Sequence, residues 1–441
     1  MSKGPPVDDK AVTSSRALIW FRRNLRIQDN PAVAACAHQP TLGVFCIGSE
    51  YTSSWLNIPR CSPVRARFLQ RTLDALTSNL QALGTDLVTH NGEAIVYIPS
   101  LCDAMEISQV HSQRLFSHDE RVEQERMQSA LNAMGVELIL HDDYTLLHPH
   151  TVWRSRVHPV SANTSFSKFR KVCAPETQSI DCPDEITPSA LKRIENADQY
   201  VSHSPFPLPT AQGDTKRGAL AFNGGEAAAL ERLSHYIGGP IHHYKETRNE
   251  MLGADFSSKL SPWLNLGALS PNQVLRAVRD AEQRKGANPS TEWLVVELLW
   301  RDFFQFLAWE LGGEMFNKSA LNHDLKLKRN ASFSQWCQGT TGEDFVDANM
   351  RELLATGYMS NRGRQNVASA LIHEIQADWR LGAAWFEAHL LDYDPASNYG
   401  NWRYIAGLSA NPRGGSWFNL KKQAEHYDPQ SAFRRHWLKS Q

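Results

Sequence analysis

Four absences narrow what this chain can be. Its seven cysteines include no C-x-x-C pair and form an odd, scattered set, which argues for reduced thiols in a cytosolic setting over a disulfide framework. The first fifteen residues have no apolar stretch of the kind a signal peptide needs, and nowhere do about 18 apolar residues run together. A soluble, cytoplasmic protein with no membrane contact and a short disordered tail over residues 1–15 is therefore expected. Neither sign of charge dominates, with 46 basic residues against 47 acidic ones, so any affinity for nucleic acid has to come from local patterning. Finally, no G-x-G-x-x-G follows the first apolar run, which removes the ordinary dinucleotide fingerprint there.

What is present divides in two. A chain of 441 residues exceeds the roughly 250–300 residues at which a single hydrophobic core stops growing, so two domains are expected. Short apolar runs at 17–21, 42–47, 86–88, 107–110 and 136–140 alternate with helical segments, clearest at 64–83 and 120–134. That alternation indicates an α/β domain with a doubly wound parallel sheet over 16–145. Residues 146–217 turn rich in Pro, Ser, Thr and His and read as an inter-domain connector, with a helix of its own around 165–173. From 218 to 441 the patterns are helical and tryptophans concentrate, which indicates an all-α C-terminal domain. No internal repeat or heptad stands out.

The C-terminal half carries the unusual chemistry. Segment 293–310 is apolar nearly all round, the mark of a buried helix, yet Trp293, Glu297, Trp300 and Arg301 share one of its faces. On a solvated face Glu297 and Arg301 would make an i,i+4 ion pair worth about 0.3–0.5 kcal/mol. In apolar surroundings the same charges need a compensating partner or a ligand. Tyr244 is followed about a dozen residues later by Ser257, Ser258, Lys259, Leu260 and Ser261, just before Pro262. Hydroxyls with a lysine at a helix start suit phosphate oxygens, although taken alone they also describe a simple cap. Asp392 and Asp394 could form a metal pair or a pair of loop acids, and no further ligands stand at metal spacing. His148, His150, His242 and His243 also lack such spacing, so no metal is expected. The densest run of unusual residues, 357–427, reads as the binding floor for a large polar, aromatic cofactor.

The order and spacing of 357–366, 378–380, 392–394, 397–404 and 421–429 resemble the flavin-binding region of the photolyase/cryptochrome family, nearest to its cryptochrome DASH branch. The resemblance runs from Arg16 to Leu438. It implies that the all-α domain binds FAD. Tyr244, Ser257, Ser258, Lys259, Leu260 and Ser261 match contacts to the pyrophosphate and ribityl part, with Ser257 and Lys259 standing where many photolyases have Thr and Arg. Arg301 matches a flavin-pocket residue, Asn361 falls on the adenine side, and Arg364 pairs with Asp392 beside the flavin. Asp394 matches an acceptor for the ring edge, and Asn398 matches the residue facing flavin N5, where a neutral amide adds no charge.

The same resemblance assigns a substrate side. Glu297 and Trp300 match residues that touch a damaged pyrimidine pair, so with Asn398 they form the expected catalytic set. Gln365 and Tyr404 stand where photolyases acting on duplex DNA carry Met and Trp. A more polar cavity offsets less of the few kcal/mol needed to unstack a base, which favours single-stranded DNA. Arg362, Arg413, Lys421, Lys422, Arg434 and Arg435 are candidate phosphate contacts. Trp402 and Trp379 match the two inner members of an electron-transfer chain whose outer member falls at Lys326, so photoreduction is expected to be slow unless Trp309 or Trp336 substitutes. Asp119 stands where a Glu usually holds a folate antenna (5,10-methenyltetrahydrofolate), and its shorter side chain leaves that pigment open.

The implied activity is light-driven splitting of cyclobutane pyrimidine dimers, mainly in single strands. Its rivals are a blue-light photoreceptor that binds DNA without repairing it, and a flavoprotein with no nucleic-acid role. Glu297 and Trp300 favour repair. The lack of a long extension after Gln441 removes one signalling device without excluding signalling. Oligomeric state is not legible.

Overall fold

The computed structural model describes residues 15–149, 164–178, 186–200, 207–209, 217–316, 330–408 and 414–439. Five parallel strands carry the N-terminal domain: β1 (Ala17–Trp20), β2 (Pro40–Ile47), β3 (Leu87–Asn91), β4 (Gln109–Gln113) and β5 (Glu137–His141). They lie in the order β3-β2-β1-β4-β5. Side chains alternate along β1: Ala17 and Ile19 join a core shared with the Pro63–Leu83 helix, while Leu18 and Trp20 join a second core closed by the helices Ala94–Ala104 and His118–Ala133. Both faces of the sheet are thus covered, which is why its strands read as continuous apolar runs in the sequence. The doubly wound expectation holds.

Among the described residues, the expected connector forms regular elements of its own, including a one-turn 3-10 helix, Ala197–Gln199. A two-residue strand, Lys192–Arg193, pairs with the start of β2, and the helix Phe166–Gln178 lies against the centre of the C-terminal domain. That centre is the helix Pro289–Leu311, started by Asn288, whose side chain accepts from the N–H groups of Ser290 and Thr291, and ended at Gly312. Each buried Leu or Phe on it contributes about 1.5–3 kcal/mol. Asp302, like Gln305, is a polar exception among its buried residues. Burial pushes its carboxyl up to about 7 although two backbone donors, the N–H groups of Leu146 and Leu147, oppose the shift. Those bonds fasten the chain after β5 to the helical core.

The two domains meet at the carboxyl ends of the strands, where open α/β sheets place their ligands. After β1, Leu25 N–H donates to the carbonyl of Leu266 at 3.0 Å, and Arg26 bridges the Gly267 carbonyl at 3.1 Å and Asp143 at 2.7 Å. Gly267 has φ +67°, and a Cβ there would lie 1.8 Å from the Arg23 carbonyl oxygen, so only glycine fits this crossing. Arg23 then reaches the Asn265 side chain at 2.6 Å and the Tyr393 carbonyl at 3.2 Å. Among the described residues no helix is long and apolar enough to cross a membrane.

Candidate active site

A cavity of about 960 Å³ opens in the helical domain, in the upper range for small-molecule sites. The sequence-expected residues converge on it from distant parts of the chain. Tyr244 and the loop Ser257–Ser261 form one wall, Glu297, Trp300 and Arg301 a second, and Asn361, Arg362, Arg364, Gln365, Asp392, Asp394 and Tyr404 the rest. Asn398 and Trp402 lie behind it, in an adjoining recess of about 90 Å³.

The inner end is built from buried charge. Arg232 sets the loop: its guanidinium donates to the carbonyls of Ala254, Ser257 and Ser258 and pairs with Asp255 at 2.7 Å. Lys259 follows with φ +52°, a backbone state uncommon for non-glycine residues. Its ammonium is buried, lies 3.2 Å from the Phe256 ring centroid and has no hydrogen-bond partner. Burial pulls its pKa down to about 7 against the attraction of Glu352, and burial pushes Glu352 up to about 8. Asp392 accepts from Ser261 at 2.6 Å and from Arg364 at 2.8 Å through Oδ2, while Oδ1 is bare.

Asp394 has more partners than the sequence reading gives it. It caps the helix Pro395–Ala406 by accepting from the Ser397 N–H at 2.6 Å, and it accepts from Gln305 and Tyr144, both at 2.8 Å. Burial opposes its charge, yet Arg23 and Arg301 hold the carboxyl below the ordinary range. Arg301 donates to the Tyr144 carbonyl and lies 4.0 Å from the Tyr144 ring, with Nη2 unpartnered. Three charged groups that line the cavity here thus keep a buried atom without a partner, Lys259 Nζ, Arg301 Nη2 and Asp392 Oδ1, and behind the lining Glu352 Oε2 is bare as well. Such atoms are expensive to leave bare. A ligand with a pyrophosphate and a hydrogen-bonding ring system fits them, as FAD does. Asn398 donates to the Ala383 carbonyl at 3.0 Å, which turns its amide oxygen the other way.

The outer end is differently organised. No Glu297–Arg301 pair forms. Instead Glu297 Oε1 accepts from Arg248 at 2.8 Å and from the Trp293 indole at 3.0 Å, and burial raises its pKa against the pull of Arg248. Trp300 meets Tyr404 edge to face, with centroids 6.5 Å apart. Arg362 donates to Gln365 at 2.8 Å and Asn249 at 3.2 Å, and its guanidinium lies 4.5 Å from the Tyr427 ring.

Several important residues were not foreseen: Arg23, Tyr144, Arg232, Arg248 and Glu352, all brought in by tertiary contact, and Phe166, Arg170 and Lys171 from the expected connector. Only the last three left a local signal, two phenylalanines three apart interleaved with basic residues at 166–171.

The remaining expectations scatter. Trp402 is buried, 5.2 Å from Phe386 and 6.4 Å from Trp336. Trp379 opens the helix Trp379–His389 and meets Tyr399 at 6.0 Å. Trp309 packs elsewhere, 5.4 Å from Phe116. Lys326, Arg413 and His150 lie outside the described residues. Lys421, Lys422 and Arg435 are exposed, whereas Arg434 is engaged by Asp428 at 3.0 Å and by Ser431. Asp119 is exposed in the first turn of the helix His118–Ala133, away from the cavity. His148 faces Asp142, and His242 faces Asn288.

Comparison with known proteins follows this geometry. A sequence model described as the FAD binding domain of DNA photolyase matches residues 293–440, and one described as DNA photolyase matches residues 17–187. A cryptochrome DASH of Synechocystis sp. is 38% identical over 435 residues, spanning 96% of this chain and 87% of the relative. The crystal structure of a Synechocystis cryptochrome aligns with a TM-score of 0.88 at 37% identity, over 96% of this chain and 88% of that one. A class III photolyase from Agrobacterium tumefaciens aligns at 0.80 and 26% identity, over 98% and 88%.

Proposed function

The chain belongs to the photolyase/cryptochrome family and binds FAD, and from that premise we propose that it splits cyclobutane pyrimidine dimers, mainly in single-stranded DNA, under blue light. The observation that carries this reading is the outer end of the cavity, where a carboxyl with a raised pKa and a flat indole sit one helical turn apart on the same wall. Reduced flavin, when bound and excited, supplies the electron that opens the dimer. The protein supplies position. Glu297, steadied by Arg248 and Trp293, offers a hydrogen bond to a pyrimidine carbonyl, and the Trp300 and Tyr404 rings give the extruded bases an aromatic surface. Gln365 in place of an apolar wall lowers the gain from unstacking, so a strand that is already single is preferred.

The assignment of holding residues follows from the inner end. Lys259 with Ser257 and Ser258 would hold the pyrophosphate, Arg301 and Asp394 the hydrogen-bonding ring system, and the Arg364–Asp392 pair and Asn398 would complete the pocket around it. Trp402, in the recess behind, would be the first electron donor to a bound oxidised flavin. Trp402→Phe is expected to stop that reduction while leaving repair by chemically reduced protein intact. An antenna folate, if carried, belongs near Asp119, and Asp119→Ala is expected to release it as a loss of near-ultraviolet absorbance.

The direct test is dimer loss in the light and in the dark, on single- and double-stranded oligonucleotides, with the flavin fully reduced. Splitting in the light, faster on single strands, is expected. No splitting on either substrate would leave the photoreceptor reading in its place.

A further inference from the structure

The helix Phe166–Gln178 lies in the stretch that the sequence reads as a connector, yet its first turn reaches the mouth of the cavity. Phe166 lies flat on the Trp300 indole, with ring centroids 3.7 Å apart and planes 12° apart. That is full contact between two π faces. Phe303 and Phe169 back the phenyl ring at 5.8 and 6.3 Å, so its present position is a packed one. One turn on, Arg170 holds Glu292 at 2.9 Å and lies 6.0 Å from the Trp293 ring, which puts a cation beside the same mouth. A base that leaves its neighbours in a strand regains energy by lying on a flat aromatic surface. The Trp300 face that offers this surface is already covered.

We propose that Phe166 is a specificity-determining residue that takes the place of a base on the Trp300 indole and turns aside before an extruded base can stack there. The inference rests on the reading of this mouth as a site for bases extruded from DNA. A normal base has to give up its own stacking and also displace the phenyl ring. A dimer, whose stacking is already damaged, gives up less, so it still displaces the ring where a normal base does not, and the ring keeps undamaged bases out of the mouth at a cost in affinity for the lesion.

The test is binding in the dark, followed by fluorescence anisotropy with flavin-loaded protein and labelled single-stranded oligothymidylate, with and without one cyclobutane dimer. Phe166→Ala is expected to tighten binding of the dimer strand about 3- to 10-fold, the equivalent of one aromatic pair, and to leave the undamaged strand unchanged. Phe166→Leu, which keeps bulk without a ring, tightens it as well and covers the case in which alanine unfolds the helix. Phe166→Tyr, which restores the stacked ring, behaves as wild type. Dimer binding that is unchanged or weaker in both ringless variants overturns the proposal. Wild-type protein that does not distinguish the two strands sinks the DNA-site reading itself, and the proposal with it.

Discussion

At its inner end the cavity presents three charged groups with a bare buried atom, whereas at its mouth only Arg362, through Nε, keeps one among Glu297, Gln365 and Arg362. Lys259, Arg301 and Asp392 each keep a bare buried atom, while Glu297, Gln365 and the Arg362 terminal nitrogens all have partners within 3.2 Å. The difference follows from what each end holds. A ligand that stays can be left to complete the hydrogen bonding of its site, because the empty state is seldom populated. A ligand that comes and goes requires a site that is tolerable when empty, so its bonds are exchanged and not created. The inner end therefore suits a resident cofactor and the mouth a transient substrate.

The sharpest way to break this contrast is to remove Asp394. Its carboxylate caps a helix, accepts from Gln305 and Tyr144, and compensates Arg23 and Arg301. Asp394→Ala removes the carboxylate shared by two buried cations, of which Arg23 keeps Glu120 at 2.9 Å and Arg301 keeps no ion pair in its place among the described residues, at a cost of about 3–5 kcal/mol. Calorimetry is expected to give a markedly lower Tm, and the purified protein should lose its flavin absorbance. Asp394→Asn, which keeps the capping oxygen, should recover part of the Tm and little of the flavin. Full flavin occupancy in Asp394→Ala would take the inner end away from the cofactor.

Next in size is Lys259. Losing one charge-assisted bond to phosphate weakens FAD binding by about 1.5–3 kcal/mol, roughly 10- to 100-fold. The pH dependence has a definite sign. Lys259 in the empty protein has a pKa of about 7, down from 10.5, so the unfolded chain holds a proton that the folded one lacks between those values. Its contribution to the stability of the empty protein is therefore full above the upper value and lost as pH falls through about 7. Glu352, raised from 4.5 to about 8, has the opposite slope: its contribution is full below the lower value and lost as pH rises through the upper one. An anionic ligand favours the ammonium form of Lys259, so FAD binding takes up a proton above pH of about 7 and weakens, by at most about tenfold per unit, as pH rises. Flavin titrations of the empty protein between neutral and mildly alkaline pH check this, and Lys259→Met should flatten the profile.

These inner residues were largely legible in the sequence, and the reason is local. Lys259 and its serines precede a helix start, Asp392 and Asp394 stand two apart before Pro395, and residues 361–365 open another helix, so each cluster arrives as a contiguous piece. The parallel strands were legible because both of their faces are apolar. What could not be read was juxtaposition. Nothing in the spacing brings Tyr144 to Asp394, 250 positions away, or Arg248 to Glu297 in place of Arg301. The helix Ala94–Ala104 escaped notice because it is short and contains Pro99. Phe166 was missed because its stretch reads as weakly periodic.

At the mouth a smaller effect is expected. Glu297→Ala leaves the cofactor spectrum intact and slows dimer splitting about 10-fold, the loss of one substrate hydrogen bond of about 1–2 kcal/mol. The raised pKa of Glu297 means that its protonated form, the one able to donate, persists to a higher pH than for an ordinary carboxyl. Splitting therefore falls as pH rises through that value. Arg248→Ala removes the pull that lowers it, and should extend activity to higher pH. Glu297→Gln, a permanent donor, should lose the pH dependence and keep most of the rate. A flavin spectrum that changes in Glu297→Ala would move this residue to the inner end.

The smallest effect separates two arginines that the sequence treats alike. Arg434 is neutralised by Asp428, which is almost fully buried, and its Nη2 donates to the Asp428 carbonyl and to Ser431. Arg362 meets only neutral partners, Gln365, Asn249 and the Tyr427 ring, so its charge is available to a phosphate at the cavity mouth. For single strands each phosphate contact adds about 0.7 to the slope of log K against log salt. Arg362→Gln is therefore expected to lower that slope by about 0.7 on an undamaged oligonucleotide. Arg434→Gln should leave the slope unchanged and lower stability by about 1 kcal/mol through the lost bonds to Asp428. Equal changes of slope in the two variants would extend the DNA track past the mouth, along the helix Ala432–Leu438. The contrast between a charged inner end and a self-satisfied rim would then have to be redrawn to include that surface.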